Sequence, residues 1–165
     1  WALIIGIDKY PTYPLRGSVP DAQLVEKYLT DDLRMSKDRI QLLLGSEEHM
    51  SPDDPKRPTR VNIIGALLSI ITNPQIAYGD NIIIYYSGHG SSYLVSEPDD
   101  NEGENGTVPV EAFCPIDRDM LDANDNPIPD ISDREFNTIL TLIAEKKGHH
   151  ITVILDCCHS GSVSR

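Results

Sequence analysis

Cysteine is scarce. Cys114, Cys157 and Cys158 are the only three in 165 residues, an odd and sparse count that argues against a disulfide framework and for a reducing compartment, the cytoplasm. On a strand, the adjacent side chains of Cys157 and Cys158 point to opposite faces and make poor disulfide partners. Being consecutive with His159, they are also unsuited to wrap one tetrahedral zinc ion as separated pairs do. Basic residues are few as well, 14 Lys and Arg against 26 Asp and Glu, and the net charge of −12 argues against a nucleic-acid surface. That acidic surplus is compatible with attracting basic peptides, and equally with solubility alone. Long apolar runs are missing, so nothing here is expected to cross a membrane, and there is no internal repeat. The first strand starts at once, without Met or leader, and the chain stops seven residues after Cys158, so it reads as a fragment cut at both ends, in which a targeting signal is unobservable.

What is present is a set of short β-runs alternating with helical patterns. Ala2 to Asp8 reads as a first strand. Ser18 is expected to cap a helix running to about Leu33, with Ala22, Val25, Leu29 and Leu33 on its buried face. Arg39 to Leu44 reads as a second strand, and Ser46 to Pro58 as a surface loop with three prolines. Thr59 caps a second helix, with Val61, Ile64, Leu67, Leu68 and Ile71 as its expected stripe and Asn73-Pro74 as its stop. Asn81 to Tyr86 is a third strand. Ser91 to Val110 is polar, acidic and too long for an ordinary connection, which predicts a flap or disorder, and Val110 to Cys114 reads as a short extended piece. Ser132 to Glu135 forms a capping box before Phe136, Ile139, Leu140 and Ile143, and Lys146-Lys147-Gly148 ends that helix, with His149 and His150 expected to cap its carbonyls. The alternation predicts an α/β fold, doubly wound, with a mainly parallel sheet and helices on both faces.

Two of these strands end in reactive side chains. Ile151 to Leu155 reads as a strand buried on both faces and runs into Asp156-Cys157-Cys158-His159. The third strand breaks at Ser87-Gly88-His89-Gly90. In an open parallel sheet the working crevice lies outside the strands' carboxyl ends, so side-by-side strands would bring a thiol to an imidazole. Cys158 then suits a nucleophile and His89 its base, with the N–H groups of Gly90 and Cys158 facing a developing oxyanion. No third member of a triad is evident, and for a thiol a pair suffices.

Tyr86-Ser87-Gly88-His89-Gly90 and Asp156-Cys157-Cys158-His159-Ser160-Gly161 resemble the His and Cys boxes of caspase-like cysteine peptidases, metacaspases in particular. The opening Ala2 to Asp8, Leu15-Arg16-Gly17 and Asp21-Ala22 resemble them too, so the likeness spans nearly the whole chain. It implies a caspase-like peptidase domain, residues 1–165 being its large-subunit portion without the smaller segment that completes the pocket, and a cysteine endopeptidase with Cys158 as nucleophile and His89 as base. It leaves Cys157 at a variable packing position and His159 at a structural one. Caspases that cut after Asp resemble this box but carry Gln where Asp156 stands, and an Arg where alignment on Gly17 places Leu15. A carboxylate there favours a cation, so cleavage after Arg or Lys is expected, although a one-residue slip would bring Arg16 into the pocket. The resemblance further implies protein or peptide substrates, a monomer, and possible calcium activation. The acidic Asp99 to Glu104 and Asp117-Arg118-Asp119 offer hard oxygen ligands or are simply hydrated; no ligand set and no metal required for the chemistry is assigned. The competing reading is a catalytically inactive caspase-like module serving as an interaction or signalling platform.

Overall fold

Six consecutive buried residues, Ala2–Ile7, form β1, the inner strand on which the fold is built. The structure is a computed structural model and describes residues 1–49, 51, 53–97 and 106–157. β1 pairs in parallel with β2 (Ile40–Gly45) on one side and β3 (Ile82–Ser87) on the other. β3 in turn pairs in parallel with β7 (Ile151–Asp156), giving the order β2-β1-β3-β7. Helix α1 (Ser18–Lys27) covers one face; α2 (Arg60–Thr72) and α3 (Asp133–Lys147) cover the other. This is the expected α/β architecture with helices on both faces.

Alternation along the strands sorts the core into two layers. Ala2, Ile4, Leu44 and Tyr85 pack with Val19, Ala22 and Leu29 of α1 and its continuation. Leu3, Ile5, Ile7, Leu43, Ile82, Ile84 and Tyr86 pack against α2 and α3, where each fully buried Ile or Leu contributes roughly 1.5–3 kcal/mol. Gly6 lies on the α1 side, and a Cβ there would stand 2.6 Å from both Ala22 Cβ and Ser18 O. A side chain at this position would push the helix off the sheet.

The helix ends differ from expectation in instructive ways. Ser18 does not cap α1. Gly17 occupies the cap without a side-chain bond, and the Ser18 N–H donates to Asp8 Oδ1 at 2.9 Å. The helix loosens into a π turn over Tyr28–Asp32, and Leu33 beyond it is 54% exposed rather than buried. Thr59 caps α2 as expected, accepting the Asn62 N–H, but the buried positions are Ile63, Ala66, Leu67 and Ile70. Val61 is 74% and Leu68 40% exposed; α2 carries two neighbouring apolar stripes, and composition could not choose between them. On α3 the Ser132 hydroxyl accepts the Glu135 N–H, yet the Glu135 carboxylate leaves the capping box and grips the Arg60 guanidinium at 2.6 and 2.7 Å, tying the starts of α2 and α3 together. Phe136, Ile139 and Ile143 are buried, and Gly148 closes the helix at φ 93°. His150 donates to Gly79 O at 2.9 Å instead of capping α3.

The stretch expected to be a flap or disordered contains a second sheet. β4 (Gly90–Glu97) and β5 (Gly106–Phe113) pair antiparallel, and β6 (Ile131–Ser132) adds to β5. The hairpin grows directly out of the His89 turn. β7 also departs from expectation: Ile154 and Leu155 are 45% and 46% exposed, because β7 is the edge of the described sheet and not an inner strand.

Candidate active site

The register at the carboxyl end of β3 and β7 decides the site. Ser87 pairs with Asp156, so His89 and Cys158 each follow two residues beyond one cross-strand pair. Cys158 itself, with His159, lies outside the described residues, as does the acidic segment 99–104. His89 is described fully. Its Nε2 lies 2.7 Å from the carbonyl oxygen of Tyr13. A carbonyl only accepts, so Nε2 carries a proton, and in the neutral ring the free lone pair is then on Nδ1.

The loop after β1 holds this imidazole. The Asp8 carbonyl accepts the N–H groups of Tyr10 and Leu15, drawing residues 8–15 into a tight loop, and Lys9 Nζ pairs with Glu47 at 2.7 Å. The Tyr10 ring lies 4.6 Å from the imidazole, tilted by 51°. Tyr13 presents its carbonyl from a φ of 58°, a left-handed conformation that costs a non-glycine residue about 1–2 kcal/mol. A backbone carbonyl as the partner of an imidazole leaves no mark in a sequence, which is why this contact was not legible there.

Asp156 ends β7 on the face that α1 covers, and its side chain is exposed rather than partly buried as expected. The Tyr85 hydroxyl donates to Asp156 Oδ2 at 3.2 Å. Burial above all, then the Asp156 carboxylate and the Asp21 carboxylate of α1, push the Tyr85 hydroxyl up to about 12 against a lowering bond with Ser87. Tyr85 therefore stays protonated and keeps donating. The Asp21 carboxylate of α1 thus acts on Tyr85 as well, at a residue that the sequence reading used for its helix start and its family likeness. Tyr85 was findable: alternation puts residues 85 and 87 of β3 on one face with 156 opposite 87.

Of the remaining candidates, Gly90 opens β4 opposite Phe113. Cys157 is half-buried against the larger core layer, consistent with packing. Leu15 packs against the same layer and Arg16 is exposed. Asp117 Oδ1 accepts the Arg60 N–H at 2.8 Å, and Arg118 pairs with Asp130 at 3.0 Å. Among the described residues no three His, Cys, Asp or Glu side chains gather as metal ligands. A cleft of about 350 Å³ beside the start of α2, lined by Asp53, Arg57 and Asp117 among others, contains neither His89 nor Asp156. His89 and Asp156 lie instead at the carboxyl ends of β3 and β7.

The family described as "Metacaspase, peptidase C14 domain" matches residues 1–165. Metacaspase-7 of Arabidopsis thaliana is 32% identical over 164 residues, covering 98% of this chain and 35% of the relative. Metacaspase-1 of Saccharomyces cerevisiae is 29% identical over 163 residues, covering 98% and 33%. The chain therefore spans about a third of the length of these curated relatives. Among solved structures, that of protein GSU0716 from Geobacter sulfurreducens aligns with a TM-score of 0.60 at 21% identity, over 98% of this chain and 51% of that one, a likeness of fold.

Proposed function

The chain belongs to the metacaspase family of cysteine peptidases, and from that premise we propose that it carries the reactive centre of an endopeptidase that hydrolyses peptide bonds after Arg or Lys. The observation that supports this best is the imidazole held by Nε2 on the Tyr13 carbonyl, at the end of the strand whose neighbour leads into Cys158. Nδ1 of His89 takes the Cys158 thiol proton, and the thiolate attacks the scissile carbonyl. The N–H groups of Gly90 and Cys158 receive the oxyanion. Collapse of the tetrahedral intermediate breaks the C–N bond, the imidazolium protonates the leaving amine, and a thioester remains. Water, deprotonated by His89, hydrolyses that thioester and restores the thiol.

Specificity follows from the carboxylates of Asp156 and Asp21, which offer a cationic side chain a charge-assisted bond and repel an anionic one. Calcium activation is part of the proposal through family likeness alone. The test is hydrolysis of matched Arg, Lys and Asp peptides by the whole protein carrying this chain, with calcium and with chelator. Cys158→Ala and His89→Ala are expected to abolish turnover and Cys157→Ala to keep it. Cleavage after Asp that survives Asp156→Ala overturns the specificity, a dead Cys157→Ala beside an active Cys158→Ala overturns the nucleophile, and equal rates with calcium and chelator remove the metal.

A further inference from the structure

Two buried tyrosine hydroxyls meet beneath the His89 turn. Tyr10 comes from the loop after β1 and Tyr86 from β3; their oxygens are 3.2 Å apart and the residues 4% and 1% exposed. The Tyr10 hydroxyl accepts the His89 N–H at 3.0 Å and donates to Cys114 O at 2.9 Å. The Tyr86 hydroxyl donates to His89 O at 2.7 Å, with Cys114 O also near at 3.0 Å, and accepts the Cys114 N–H at 3.2 Å. Cys114 N–H further donates to His89 O at 3.0 Å. Both polar ends of residue 89 therefore terminate on this pair, which also binds residue 114 where β5 leaves the second sheet.

We propose that Tyr10 and Tyr86 are positioning residues for the base: their hydroxyls clamp the backbone of His89 so that its imidazole reaches the Tyr13 carbonyl and presents Nδ1 to the thiol. This rests on the reading of His89 as the base. Core packing does not account for the pair, because a phenyl ring would fill the same volume without burying a hydroxyl that must be satisfied. The turn is shaped around the two oxygens. A Cβ on Gly88 would stand 2.5 Å from the Tyr10 hydroxyl and 2.7 Å from that of Tyr86. Each hydroxyl has one proton to give, and the two acceptors, His89 O and Cys114 O, take one each, so removing either hydroxyl takes one bond from the backbone at residue 89: the N–H loses its acceptor without Tyr10, and the carbonyl loses the 2.7 Å donor without Tyr86. Burial pushes both hydroxyls well above the ordinary tyrosine range, which keeps the clamp protonated at any working pH. Tyr10 contributes twice, since its ring also lies against the imidazole. A backbone released by a few tenths of an ångström is enough to lengthen the 2.7 Å contact to Tyr13 and turn Nδ1 aside.

The test uses Tyr10→Phe and Tyr86→Phe in the whole protein, each keeping the ring. Each is expected to lower kcat about 10- to 100-fold, the scale of a small misplacement of a reacting group, with KM within about twofold of wild type. Ile143→Val, a core truncation on α3 remote from the turn, lowers Tm but keeps kcat. Gly88→Ala, which intrudes between the hydroxyls without removing either, is expected to reproduce the loss. In the Cys158→Ala background, nitrogen NMR of the His89 imidazole is expected to show one tautomer with a protected Nε2 proton, and either Phe substitution to mix tautomers and expose that proton. Phe variants with wild-type kcat, or an imidazole spectrum unmoved by them, overturn the clamp. An active His89→Ala protein overturns the reading of His89 as the base instead, and the NMR result then decides the clamp alone.

Discussion

A carboxylate at the end of a strand recognises a cation well only if its own orientation is held. Tyr85 holds Asp156 in this way, donating to Oδ2 from within the sheet, and in the proposed specificity the other carboxylate oxygen meets the substrate cation. Asp156→Asn removes the charge and is expected to lower kcat/KM on an Arg peptide about 10- to 100-fold, matching the 1.5–3 kcal/mol typical of a hydrogen bond to a charged group. Tyr85→Phe leaves the charge and frees the side chain, so a smaller loss of about three- to tenfold is expected, mostly in KM, from a bond contributing roughly 1 kcal/mol. Parallel kcat and KM series on Arg, Lys and Asp peptides check both. If Tyr85→Phe matches wild type on Arg, the hydroxyl is only packing. At this scale the sequence was legible in its side chains: His89 and Asp156 stand at the strand ends foreseen for them and Cys157 packs against the core as expected, while Cys158 lies outside the described residues. It was silent where a backbone atom acts, as with the Tyr13 carbonyl, and where a buried hydroxyl serves another residue's peptide, as with Tyr10.

Elements were legible wherever two signals agreed. The α3 pattern combined a cap, a clean apolar spacing and a terminal glycine, and all three hold. In α2 the cap and the stop held and the buried face held in part: Leu67 is buried and Ile64 and Ile71 pack partly buried against the core, but Val61 and Leu68 are exposed, because Ile63-Ile64, Leu67-Leu68 and Ile70-Ile71 offer two stripes one residue apart. Packing against Leu3, Ile5 and Phe113 selects the one containing Ile63 and Ile70. The two are distinguishable by stability: Ile63→Ala is expected to cost about 2–5 kcal/mol, and Val61→Ala to change it by less than about 0.5 kcal/mol. Equal urea-unfolding midpoints for the two variants would reverse the assigned face. The β4–β5 hairpin was legible only in its last part, where the extended piece expected over Val110 to Cys114 overlaps β5, and the rest was illegible for a different reason. Ser91, Ser92 and Glu111 weaken the alternation that marks a strand, and the pairing is decided by the His89 and Cys114 backbones being bound together at its base. Gly6 makes an element-level prediction as well. With only 2.6 Å to Ala22 Cβ and Ser18 O, Gly6→Ala must displace α1, costing roughly 1–3 kcal/mol and, through the Ser18 bond to Asp8, loosening the loop that carries Tyr10 and Tyr13. Loss of Tm together with activity is expected; retention of both would show that α1 can shift freely.

For the whole molecule, the same buried groups that organise the site set its limit in alkali. Cys114 is fully buried, and its thiol is pushed up from an ordinary 9.0 to about 12, chiefly by burial and then by the Asp130 carboxylate. Tyr10 and Tyr86 are raised above their ordinary 10.0, again chiefly by burial. In each case the folded chain holds its proton more tightly than the unfolded chain does. Their contribution to stability is therefore complete below the unfolded values, begins to fall near pH 9 for the thiol and near 10 for the hydroxyls, and keeps falling until the folded values are reached. Each group adds about 1.4 kcal/mol per pH unit in that window, so the three together give a slope of about 4 kcal/mol per unit above pH 10. The net charge of −12 adds a repulsion that grows as lysines lose their protons, but that part is screened by salt and the buried part is not. Urea midpoints measured from pH 8 to 11 in high salt are expected to stay level to about 9 and then drop steeply. Tyr86→Phe starts from a lower plateau but drops by about one proton's worth less per pH unit, because one of the groups that must ionise is gone. A wild-type profile flat to pH 11 would mean that these hydroxyls and this thiol are reached by water without unfolding, and with that the buried clamp under His89 would be lost as well.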